Sequence, residues 1–129
     1  MQYFAAIVTL SAFATGALAT PTGNFTSPTP DYGNNCKGSG LCSAFLGADC
    51  AKAVASVNPT ASYTDQAQFS VGHCYMVYAT NGEASGPVTG QLIIDTARSI
   101  LDNCEYVCGS FGTNNAGCSS CHVTLNYRA

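Results

Sequence analysis

The stretch Gln91–Ser110, QLIIDTARSILDNCEYVCGS, decides the fold. Ile93, Ala97, Ile100, Leu101 and Cys104 recur at steps of 4, 3, 1 and 3 and so share one helical face. Gln91, Asp95, Arg98 and Asp102 fall on the opposite face, with Arg98 spaced to pair with both aspartates. Leu92 and Ile94 widen the apolar stripe on its flanks. A stripe that broad needs a broad apolar partner, and a sheet is the natural one. The helix runs into Cys104 and Cys108, so its end is expected to be covalently anchored.

Upstream of this helix the period is that of strands. Ala61–Thr80 is rich in β-branched and aromatic residues, with Val71-Gly72 breaking it into two extended halves. His73–Ala79 is apolar on both faces, Tyr75 and Val77 on one and Cys74, Met76 and Tyr78 on the other, as expected of an interior strand. Asn81-Gly82 is a turn, Glu83–Pro87 a loop, and Thr89 suits the helix N-cap. Further back, Leu41, Ala44, Phe45, Ala48, Ala51, Val54 and Val57 trace a first helix that Gly47 can interrupt and Asn58-Pro59 ends. Downstream, Gly109–Ser120 reads as loop. His122–Tyr127 is a strand with Val123, Leu125 and Tyr127 on one side and His122, Thr124 and Asn126 on the other. The order helix, strands, helix, strand predicts an α+β fold: a two-layer sandwich with two helices on one face of an antiparallel sheet.

Residues 1–19 read as a secretory signal peptide, an apolar run ending in Ala17-Leu18-Ala19. A retained membrane anchor is the alternative, disfavoured by the shortness of the run. Residues 20–34 form a flexible Pro/Thr-rich leader in which Asn24-Phe25-Thr26 is a glycosylation acceptor at Asn24. Order is expected from Cys36, within a single domain spanning 35–129. All eight cysteines, Cys36, Cys42, Cys50, Cys74, Cys104, Cys108, Cys118 and Cys121, lie in that domain. An even count in a small exported chain indicates four disulfides, which supplement a core too small to hold alone. The protein is therefore expected to be secreted and extracellular.

Net charge is −3, and the four basic residues, Lys37, Lys52, Arg98 and Arg128, are scattered. Four dispersed cations make no basic patch, which argues against nucleic acid and against stable insertion at an anionic membrane. Cys118-Ser119-Ser120-Cys121 follows a Gly/Asn loop and precedes a strand. A redox pair needs its first cysteine at a helix N-terminus, so structural bridging is the better reading. With His122 these residues imitate a metal corner, but the remaining ligands would come from cysteines needed for bridges; no metal and no cofactor are expected. A small hydrolase would use His73 and His122 with Glu83 or Glu105, yet nothing in their spacing makes them converge. No catalytic residue is assigned, and the protein is expected not to be an enzyme.

Four motifs in order carry a family resemblance. Gly33-Asn34-Asn35-Cys36-Lys37-Gly38-Ser39-Gly40-Leu41-Cys42 resembles the opening of the killer-protein-four toxins, smut virus killer toxin-like secreted proteins of fungi and of a fungal virus. His73–Tyr78, Cys108-Gly109-Ser110 and Val123–Tyr127 resemble that family's strand, its segment after the helix and its closing strand. The resemblance implies a killer-toxin-like α/β sandwich with Cys36 joined to Cys104 and Cys42 to Cys108. The other four cysteines allow three pairings, of which Cys50–Cys74 with Cys118–Cys121 is favoured. It further implies a monomeric toxin or effector binding an extracellular protein or cell-surface target on a competing fungus or a host. The family's channel block is attributed to a basic surface, which this acidic chain lacks. Lys37, Lys52 and the Gly112–Ser120 loop are the candidate contacts. A non-toxic wall or surface binding module is the alternative role.

Overall fold

The computed structural model describes residues 32–129. Residues 1–19, nearly all of the 20–34 leader and Asn24 lie outside that range. In chain order a 3-10 turn (Ala44–Leu46) leads into α1 (Gly47–Ala55), β1 (Ser62–Tyr63), β2 (Ala67–Gln68) and β3 (Cys74–Ala79). Then come β4 (Val88–Thr89), α2 (Gly90–Asn103), β5 (Gly109–Gly112) and β6 (His122–Tyr127). The main sheet is antiparallel in the order β2-β3-β6-β5, and β1 and β4 form a separate two-stranded ribbon. The α+β sandwich follows: α1 packs on β3, α2 crosses β5 and β6, and the helices touch each other. Among the described residues no helix is long and apolar enough to cross a membrane.

The core lies where the sequence periods meet. Ile93, Ala97 and Ile100 of α2 are fully buried against Met76, Tyr78, Val123 and Leu125. β3 and β6 pair Met76 with Leu125 and Tyr78 with Val123, so these four share the helix-facing side. On the opposite side Val77, Ala79 and His122 are also buried, which makes β3 an interior strand. α2 begins at Thr89, whose Oγ1 accepts from the Leu92 amide at 3.3 Å. Asp95 accepts from Gln91 Nε2 at 2.8 Å, a partner one turn upstream in place of the Arg98 that spacing suggested.

Four bridges close the frame: Cys36–Cys104, Cys42–Cys108, Cys50–Cys74 and Cys118–Cys121. No cysteine is free. Such a set belongs to an oxidising compartment. Cys104-x-x-x-Cys108 fits its two partners by a tight turn in which the Val107 amide donates to the Cys104 carbonyl at 3.0 Å. Val107 sits at φ 73°, a conformation that costs a β-branched residue free energy, and its side chain is buried.

Three expectations give way. The first helix is buried along Leu46, Cys50, Ala53, Val54 and Val57, not along the Leu41–Phe45–Ala48–Ala51 row. Cys50 is tied to Cys74, and that bond turns its own face inward; the 3-10 turn then points Leu46 in and Phe45 out. Phe45 is 94% exposed and Leu41 66%. Phe45→Ser is accordingly expected to leave the melting temperature unchanged within the spread of neutral surface substitutions, about 0.5 kcal/mol, by calorimetry.

Second, Gly109–Ser120 is not all loop, because Gly109–Gly112 pairs with Leu125–His122. Two glycines in four residues hide the strand. Gly109 is obligatory there, since an added Cβ would lie 2.5 Å from the Asn35 carbonyl oxygen and 3.0 Å from Cys104 Sγ. Third, docked chain begins before Cys36. Asn35 exchanges two backbone hydrogen bonds with Ser110, and Asn34 Oδ1 accepts from the Gly112 amide at 2.8 Å. Tyr32 stacks on His122 with ring centroids 4.4 Å apart.

Asp65 ties the β1–β2 turn to the end of β3. Its Oδ1 accepts from the Thr80 amide at 2.8 Å and from Gln66 Nε2 at 3.3 Å. The Thr80 amide, chiefly, holds this exposed carboxyl below the usual aspartate range. A group whose folded pKa is depressed contributes stability above its unfolded pKa and loses it as pH falls through the folded value. Asp65→Asn should therefore flatten the acid limb of the stability curve below about pH 4. A carboxyl titrating at the ordinary aspartate value by NMR would contradict this.

Candidate functional site

The sequence-nominated catalytic groups do not come together. His122 pairs with Ala79, and His73 precedes Cys74 at the far end of the same strand. Six residues of extended chain separate the two ends, about 20 Å. His122 is buried, with Nδ1 2.8 Å from the Ser120 carbonyl oxygen. His73 is exposed, stacks on Tyr127 and has Nδ1 3.1 Å from the Arg128 carbonyl oxygen. Glu83 is occupied by the Cys118–Cys121 loop, accepting from the Ser119 amide at 3.1 Å and from Ser119 Oγ at 2.9 Å. Glu105 is exposed in the turn between Cys104 and Cys108.

Lys37 and Lys52 are exposed but separate. Lys37 lies in the Cys36–Cys42 loop beside Tyr106, and Lys52 on the outer side of α1. The first part of the Gly112–Ser120 loop has a more definite place. Gly112, Thr113 and Asn114 form one wall of an open groove of about 550 Å³ between β5 and α2. Asp95, Ser99 and Asn103 form the other wall. They stand at i, i+4 and i+8, one row on one helical face. Leu92 and Phe111, both half-buried against the core, supply the apolar floor, and Asn34, bonded to Gly112, joins the lining.

The hydrogen-bonding capacity of these walls is only partly used inside the protein. Asn103 Nδ2 donates to the Ser99 carbonyl at 2.7 Å, and Ser99 Oγ donates to the Asp95 carbonyl at 3.1 Å. That leaves the Asn103 amide oxygen and the Ser99 lone pairs as acceptors. The amide NH2 of Asn34 is left to donate, because its oxygen holds Gly112. Asn114 is exposed at φ 53°, a backbone state that asparagine tolerates. Among the described residues, the groove thus presents donors and acceptors side by side, one carboxylate (Asp95) and no cation.

Residues 34–129 match MU117, the meiotically up-regulated gene family. The chain belongs to that family. The match takes in all but the first residue of the four motifs that resembled killer-protein-four toxins, so the expected membership of the killer-toxin family is corrected to MU117. Local geometry accounts for part of the likeness. A Cβ on Gly38 would press on Cys108 Cβ at 2.5 Å, and one on Gly109 on the Asn35 carbonyl, so glycine beside those cysteines is a requirement of the bridges. With that resemblance goes the family ground for expecting a toxin or effector in this MU117 member. No curated protein matches the chain.

Sequence reasoning missed the groove. Its helical wall was visible as the row Asp95, Ser99, Asn103 bordering the apolar stripe, but its facing wall required knowing that Gly109–Gly112 is a strand beneath α2.

Proposed function

We propose that this MU117 protein is exported and works outside the cell as a monomeric, disulfide-stapled binding module, by contact and not by turnover. The groove between α2 and β5 is its binding surface. The observation that carries this reading is the groove itself: two walls of incompletely used amide, hydroxyl and carboxylate groups over an apolar floor, fixed between a bridged helix and a paired strand. Four bridges and the apolar run at residues 1–19 support export. Rigid placement favours contact, because side chains already held in position lose little entropy on binding.

The test is retention of the labelled, oxidised protein on intact cells and on insoluble cell-wall fractions. The wild type is expected to be retained and Ser99→Ala/Asn103→Ala to be washed out. Absence of retention on every surface, or turnover of wall material that disappears on replacing His73 or His122, would overturn the reading.

A further inference from the structure

We infer that the ligand class of the α2–β5 groove is a neutral, hydroxyl-rich polysaccharide. This rests on the binding-module reading above and adds to it the chemistry of the partner. Three observations lead there.

The first is electrostatic. Among the described residues the groove is lined by Asp95 and no basic side chain, on a protein of net charge −3. Phosphate and sulfate polymers need cations to neutralise them, and this lining offers none. A carboxylate bordered by amides is instead a good acceptor for hydroxyl donors.

The second is the mixture of donor and acceptor sites. Asn34 offers amide hydrogens, Ser99 and Asn103 offer acceptors, and Asn114 offers both. A hydroxyl is donor and acceptor at once, so successive ring hydroxyls satisfy such a mixed row. The floor of Leu92 and Phe111 suits the C–H face of a pyranose ring.

The third disfavours a peptide. The usual way for an extended peptide to join a sheet is to add a strand at a free edge. β5 is the edge strand here, but its outer side is already taken: Ser110 exchanges both backbone hydrogen bonds with Asn35, and the Gly112 amide donates to Asn34. The ladder that would hold a peptide at this groove is occupied by the protein's own lead-in.

The experiment is a depletion assay of the oxidised protein on untreated cell walls and on protease-stripped insoluble polysaccharides: β-1,3-glucan, chitin, cellulose and mannan. Heparin resin serves as the polyanion control. Variants are Asn103→Ala and Asn114→Gly, the latter removing the amide while keeping a residue at home at positive φ. Retention is expected on at least one neutral polysaccharide, displaced by its soluble oligosaccharide and unchanged as salt rises to about 0.5 M. The double variant, its fold checked by melting temperature, is expected to lose about tenfold or more in affinity. Retention on heparin that falls with salt would overturn the inference, as would neutral-polysaccharide binding indifferent to the double variant. Retention confined to walls that have not been protease-treated, still lost in the double variant, would overturn the polysaccharide class and leave the binding-module reading standing. Failure to bind any surface would remove both.

Discussion

Gly90→Ala is expected to lower the stability of the domain by about 3 kcal/mol, although alanine ordinarily gains about 1 kcal/mol over glycine inside a helix. Gly90 is the first residue of α2 and lies directly against the loop that follows α1. A methyl group there would overlap the Asn58 carbonyl oxygen and stand 2.7 Å from its carbon. Both atoms are backbone and have no rotamer to escape into. The loop is also stitched to the helix: the Gly90 amide donates to Ala61 at 2.9 Å and the Gln91 amide to Pro59 at 3.0 Å. Making room means losing or stretching these bonds, about 1 kcal/mol each, on top of an overpacking cost of about 1–3 kcal/mol. For a domain of this size the melting temperature should drop by about 15 °C. Gly86→Ala, where nothing lies within 4 Å of the new atom, is the control. Equal melting temperatures for the two variants would mean that α2 is not seated on that loop.

Removing both long-range bridges should bring the domain to the edge of folding, where removing either does not. Cys36–Cys104 and Cys42–Cys108 span 68 and 66 residues and close nearly the same loop. With one cut, the other still restrains the unfolded chain, and only the short ring of residues 36–42 and 104–108 opens, about 3 kcal/mol by chain entropy. Cutting the second then releases the long loop, about 4 kcal/mol more. A domain with typical stability of about 5–15 kcal/mol survives the first loss and is brought to the edge by both. Urea unfolding of Cys36→Ala/Cys104→Ala, Cys42→Ala/Cys108→Ala and the fourfold variant reads this directly. A fourfold variant no weaker than the worse double variant would show that the two bridges do not share one loop.

Much of this architecture was legible in the residues, and what was not has physical causes. The α2 stripe, the two-sided burial of β3 and the alternation of β6 all follow from period, because each element is long enough to repeat its pattern several times. The α1 stripe was read correctly at Val54 and Val57 and misread before them. Alanine is ambivalent about burial, so the bond from Cys50 to Cys74 chose the face, and bonds between distant cysteines leave no local period. β5 was invisible for a related reason: in Gly-Ser-Phe-Gly only Phe111 favours a strand, and the segment pairs because β6 lies on one side and Asn35 on the other. The pairing of Cys36 with Cys104 and of Cys42 with Cys108 came from a family likeness and not from spacing, the likeness itself pointed to the wrong family, and the other two bridges were only favoured among three possible pairings. Half of the groove could have been read from the i, i+4, i+8 spacing of Asp95, Ser99 and Asn103 on α2, but only Asp95 was placed on the polar face; the other half depended on β5.

Peptide mapping of the natively exported protein under non-reducing conditions tests the frame most directly. The expected map links Cys36 to Cys104, Cys42 to Cys108, Cys50 to Cys74 and Cys118 to Cys121, with no free thiol. A bond between Cys36 and Cys42, or free thiols at all four of Cys36, Cys42, Cys104 and Cys108 in folded material, would detach the lead-in from the end of α2. The groove would then lose the walls that define it.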